Sequence, residues 1–162
     1  FILQPILIAG VLFHFIMGFY LEIQNRKAAK YEYQKEKGSA NSTWMSRNMI
    51  TSGLVILAFL VLHFIDFWVP EMNHKYIEFL PEDPNRYFKH LVHKFENPLR
   101  VAMYCLSFVL LALHLLHGFT SSLRSMGTNK SYVSSAKTAG IVYSIGIPLG
   151  FCVIAIFHYI NQ

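Results

Sequence analysis

Two histidines stand out because each precedes a glycine by four residues inside an apolar run. His114 and Gly118 lie in the run from Val101 to Phe119, and His14 and Gly18 in the run that opens at Ile2. An ionisable side chain at membrane depth is costly and by default marks a functional site. Imidazole is an iron ligand, and two membrane helices that each offer one at the same depth suit a b-type haem held between them. Position i+4 of a helix stacks on the same face as position i, so Gly18 and Gly118 would clear space beside a histidine for the edge of a porphyrin. Gly10, four residues before His14, does the same on its other side. The competing explanation is helix packing, since small residues spaced by four also let membrane helices approach.

Depth favours the haem. At the helical rise, His14 lies twelve residues from Arg26 and His114 ten residues from Arg124, roughly 15–18 Å from the same boundary. His63 lies sixteen residues from Arg47, roughly 24 Å from it. His63 therefore reads as a ligand further out, with no partner histidine among these spans. His117 competes with His114; repetition of the His14 spacing favours His114 and leaves His117 as a propionate or quinone contact. Asp66, one turn beyond His63, is either a proton-handling carboxylate at a quinone pocket, with Trp68 beside it, or a solvated charge among the headgroups. His158 reads as interfacial. His74, His90 and His93 read as solvated, since no Cys or carboxylate spacing near them makes a recognisable metal site. Arg47, Arg124, Ser42, Thr43 and Ser46 fall at the ends of their spans. They are either propionate or partner contacts, or ordinary edge anchors and caps.

The elements that must position these groups are long and apolar. Of 162 residues, 54% are hydrophobic and only 14% charged, the balance of a membrane protein. Four spans are predicted, at about 2–23, 48–69, 99–123 and 136–159, each close to the ~20 residues that cross the hydrocarbon as a helix. No alternating strand pattern suggests a barrel, so the predicted class is an all-α transmembrane bundle forming a single membrane domain. Residues 25–47 hold six Lys or Arg and residues 121–137 three more, whereas residues 70–100 hold five matched by five acids. Basic residues in short loops stay on the cytoplasmic side, which places 24–47 and 124–135 inside and 70–98 outside. The net charge of +5 then reflects these loops and not a nucleic-acid partner. The long outer loop, with Pro70, Pro81, Pro84 and Pro98, is expected to contain short interfacial helices. Cys105 and Cys152 read as small buried hydrophobes. The first residue is Phe1, already inside an apolar stretch, so a preceding segment is expected.

Several stretches together carry a resemblance. Leu12 to Gly18, Asn25-Arg26-Lys27-Ala28, Ser39 to Met49 and His114 to Phe119 resemble the cytochrome b subunit of type B succinate:quinone oxidoreductases, in the form found in Bacteroidetes-like bacteria. The Asn41-Ser42-Thr43-Trp44-Met45-Ser46-Arg47-Asn48 segment is the most specific part. The resemblance implies five membrane helices in a bacterial cytoplasmic membrane, two b haems and an electron path to menaquinone. It also implies a flavoprotein and an iron–sulfur subunit docked on the cytoplasmic side, making a succinate dehydrogenase (complex II) whose anchor has no succinate chemistry of its own. Three of the family's four haem histidines map onto His14, His63 and His114. The fourth belongs to a first helix that this chain lacks, which leaves the distal haem in question; His14 and His114 would hold the proximal one. Two other classes stay open: the cytochrome b anchor of a hydrogenase or formate dehydrogenase, and a haem-free transporter.

Overall fold

A computed structural model of the chain describes residues 2–32, 47–81, 83–126 and 130–161. Among these the protein is all-α, without strands, and four of its helices are long and apolar enough to cross a membrane. Two compact units are distinguished, Phe1–Gly53 and Leu54–Gln162.

The first unit contains α1 (Leu3–Glu32). Its apolar stretch gives way to Gln24, Asn25, Arg26 and Lys27, yet the helix does not stop at residue 23, where the apolar run ends. Local pairs carry it on: the Gln24 amide donates to the Tyr20 hydroxyl at 2.7 Å, and Arg26 pairs with Glu22 at 2.6 Å, one turn apart. Such i,i+4 pairs support a helix once apolar burial is gone.

The second span begins as α2 (Met49–His63) and runs past Pro70, where the sequence places its end. It continues as a π-helical stretch, Phe64–Trp68, then α3 (Val69–Met72), then a second π-helical stretch, Asn73–Ile77. The chain leaves helical geometry at Phe79, whose φ of 51° is the left-handed region. The 70–98 segment also holds α4 (Arg86–Phe95), a short helix of the kind expected there.

Asn97 and Pro98 explain the start of α5 (Pro98–Ser125). The Asn97 side-chain oxygen accepts the N–H groups of Leu99 at 2.9 Å and Arg100 at 3.2 Å, the work of an N-cap, with proline where no N–H is needed. The last helix, α6 (Lys130–Ile160), keeps Pro148 in its interior, fully buried.

Helices α5 and α6 pack antiparallel along a seam of small residues on α6. Gly140, Ser144 and Pro148 recur every four residues and are buried, and Ala155 is wholly so. A Cβ at Gly140 would overlap the Phe119 ring where it now lies, so any larger residue there requires that ring to move. Nearer the other end, Phe108 stacks on Phe151 at 5.4 Å. The core of this unit consists of Phe95, Val101, Tyr104, Phe108 and Ala155, with Phe59, Leu62, Phe67, Leu91, Cys105 and Cys152 against it.

Candidate functional site

Pro70 shapes the better-defined site. Inside a helix, a proline lacks the N–H that would bond the carbonyl four residues back. That carbonyl belongs to Asp66. The backbone here is π-helical, with the Val69 N–H donating to the Phe64 carbonyl, five residues back. The orphaned Asp66 carbonyl accepts instead from His90 Nε2 of α4 at 2.7 Å. A carbonyl only accepts, so His90 carries its proton on Nε2. His90 is thus half-buried and engaged, and its expected place among the solvated loop histidines is corrected. Tandem π-turns are uncommon and gather at functional sites.

The Asp66 side chain is 1% exposed. Its Oδ1 pairs with the Arg100 guanidinium and lies 3.5 Å from Lys94 Nζ, while Oδ2 accepts from the Tyr104 hydroxyl at 3.0 Å. Of the two sequence readings, a charge solvated among headgroups does not describe this carboxylate. Burying it requires partners, and α4 and α5 supply a lysine, an arginine and a phenol. None of the three was marked as functional by the sequence. Arg100 and Lys94 look like loop charges, and only folding brings them to Asp66.

His63 belongs to the same cluster. Phe59, Phe67 and Tyr104 surround its ring, with centroids 5.9, 5.2 and 6.5 Å away. Its Nδ1 is buried without a hydrogen-bond partner among the described residues. An unsatisfied buried polar atom costs about 1–3 kcal/mol, a cost that a ligand at the imidazole would offset. Trp68 sits on the same π-turn, is 37% exposed, and contacts Phe64 at 5.7 Å.

On α5, His114, His117 and Gly118 are half-buried, as is every residue from Leu110 to Gly118. On α1, His14 is exposed, with the Phe15 ring edge-on to it at 6.3 Å. A Cβ at Gly10 or Gly18 would meet no described atom within 4 Å. The helix surface beside His14 is open at both flanking glycines, as it is at Gly146 and Gly150, so no Cβ there would block a flat macrocycle. His14 belongs to one unit and His114 to the other. Arg47 is exposed near the start of α2. Ser42, Thr43, Ser46 and the Arg124 side chain lie outside the described residues. His158, near the end of α6, meets the Phe88 ring edge-on at 5.5 Å. His93 pairs with Glu96 at 3.1 Å.

No family model, curated protein or solved structure matches the chain.

Proposed function

We propose that this chain is a cytochrome b membrane anchor that carries electrons between a soluble dehydrogenase and quinone. Within that class, a succinate dehydrogenase with menaquinone as the lipid-soluble partner is the member its motifs resemble. The observation that carries the reading is the repeated His-x-x-x-Gly on two spanning helices, at His14–Gly18 and His114–Gly118, with open helix surface at Gly10 and Gly18.

In this reading His14 and His114 hold one b haem and His63 a second, nearer the Pro98 end of α5, with a fourth histidine supplied from outside these residues. Bis-imidazole ligation supplies reversible one-electron chemistry with no open iron position. The chain's own residues do the rest. Gly10, Gly18 and Gly118 keep side chains out of the ring's place. His117, Arg47 and Ser42 are the candidates for propionate contacts. Phe59, Phe67 and Tyr104 exclude water around His63. Asp66, with Trp68 beside it, marks the proposed quinone end, and its carboxylate is held in place by Arg100, Lys94 and Tyr104. The flavoprotein and iron–sulfur subunits would dock at the basic 24–47 and 124–135 segments, on the cytoplasmic face of a bacterial inner membrane.

The test is a reduced-minus-oxidised spectrum and a haem assay on the full-length protein purified from membranes. Two b haems per chain, with co-purifying flavoprotein and iron–sulfur subunits that reduce added menaquinone from succinate, are expected. A protein without haem overturns the reading. Haem with hydrogenase or formate dehydrogenase subunits keeps the anchor and replaces its partner.

A further inference from the structure

The outer halves of α5 and α6 bring two free cysteines together. Cys105 lies on α5 and Cys152 on α6, and both are half-buried. The Cys152 thiol points at the Cys105 backbone, its Sγ 3.8 Å from the Cys105 carbonyl oxygen, which places the two residues side by side on facing helices.

This pairing follows from the seam. Cys152 continues the series Gly140, Ser144, Pro148, each four residues from the last, that faces α5. Small residues at that spacing let two membrane helices approach closely, and a disulfide needs Cα atoms within about 4.4–6.8 Å. The register agrees. Phe119 meets Gly140, Phe108 stacks on Phe151, and Cys105 lies by Cys152, three contacts in the order an antiparallel pair requires. The backbone is thus set by larger contacts on one side and the thiols are carried into reach by it.

Depth decides the oxidant. Cys105 is seven residues into α5 and Cys152 eight residues from the end of α6, or roughly 10–12 Å along each helix from its terminus. Water-borne oxidants do not reach that depth easily, whereas a lipid-soluble quinone dissolves there. Both cysteines retain exposed surface among lipid-facing neighbours such as Leu106, Val153 and Ile154, which are 60%, 58% and 45% exposed.

We propose that Cys105 and Cys152 form a dithiol that membrane quinone oxidises to an interhelical disulfide. Two S–H bonds break and one S–S bond forms. The two electrons and two protons released convert one quinone to its hydroquinone. The product ties α5 to α6 close to the Tyr104–Asp66 cluster, since Cys105 adjoins Tyr104 in sequence. The chemistry needs a quinone but no haem, so it stands or falls separately from the cytochrome reading.

The test uses the full-length protein in nanodiscs, reduced with dithiothreitol, freed of it, and exposed to duroquinone, whose ring is fully methylated and cannot add a thiol. Maleimide labelling after denaturation counts the thiols that remain. Cys105 and Cys152 are expected to lose reactivity together. The intact chain should become lighter by two hydrogens, a peptide joining the two residues should appear, and dithiothreitol should reverse all three changes. In Cys105→Ser and Cys152→Ala, the remaining thiol should stay reactive in the monomer. Thiols that both remain reactive in the unmodified chain overturn the proposal, and so does a disulfide that links two chains. If haem is absent while the thiols still close, the cytochrome reading fails and this one survives.

Discussion

The two halves of α5 treat their polar groups differently. At the Pro98 end, Val101, Tyr104, Ser107 and Phe108 are buried, and the charges around them are matched: Asp66 takes Arg100, Lys94 and Tyr104, and its carbonyl takes His90. Further along, from Leu110 to Gly118, every residue is only half-buried, and this is where His114 and His117 lie. The first region completes its charges with protein atoms, the buried Nδ1 of His63 being the exception. The second presents imidazoles beside a glycine and leaves surface over. The difference teaches what each histidine's surroundings are for. A network whose donors and acceptors are satisfied fixes the fold at that end. The half-open stretch with His114 and His117 is where the proposed haem would pack.

The largest test of that contrast is on the half-open side. His114→Ala should remove one of two haems, half of the pyridine haemochrome signal, whereas His117→Ala should keep the full amount. Equal haem in both variants would break the assignment of α5, and loss only in His117→Ala would move the ligand by one turn.

On the self-completed side, Asp66→Ala strands Arg100 and Lys94. Removing one partner of a buried pair costs about 3–5 kcal/mol. The cations keep 29% and 28% of their side-chain exposure, so screening puts the loss near the low end, about 3 kcal/mol. Thermal unfolding in detergent should show it as a clear drop in Tm without loss of the haem proposed at His114. An unchanged Tm would mean that the cluster does not fix this end.

Next in size is the carbonyl orphaned by Pro70. His90→Ala should cost about 1–3 kcal/mol, the price of an unsatisfied buried acceptor. Pro70→Ala restores an N–H four residues after Asp66 and should recover most of that loss in the His90→Ala background. Strict additivity of the two substitutions, measured by the same unfolding midpoint, would show that His90 is not the donor that matters.

The smallest effect is expected at the seam. Gly140→Ala puts a methyl group into the Phe119 ring, and overpacking costs about 1–3 kcal/mol. Rotation of an aromatic side chain that is itself 38% exposed brings the expectation to about 1 kcal/mol. Phe119→Leu in the same chain should relieve it. A Gly140→Ala protein as stable as the original would mean that α5 and α6 adjust their spacing freely.

The sequence by itself determined that the protein is helical and that four segments can cross a membrane. Hydrophobic length is a local property, and the residues of each span carry it without help from the others. The His-x-x-x-Gly repeat and the isolation of His63 are legible for the same reason, since spacing along one helix is fixed by its geometry. Where span ends depended on tertiary partners, the sequence was a poorer guide. Pro70 looks like a stop, but the helix continues because His90, twenty residues on, satisfies the carbonyl that proline leaves bare. Arg100, Lys94 and Tyr104 gave no functional signal, because a lysine or arginine near a span boundary looks the same whether it faces water or a buried carboxylate. Cys105 and Cys152 stand forty-seven residues apart and meet only through the seam of Gly140, Ser144 and Pro148. Spacing within an element is written in the chain, whereas partnership between elements waits on the packing that brings distant backbones together.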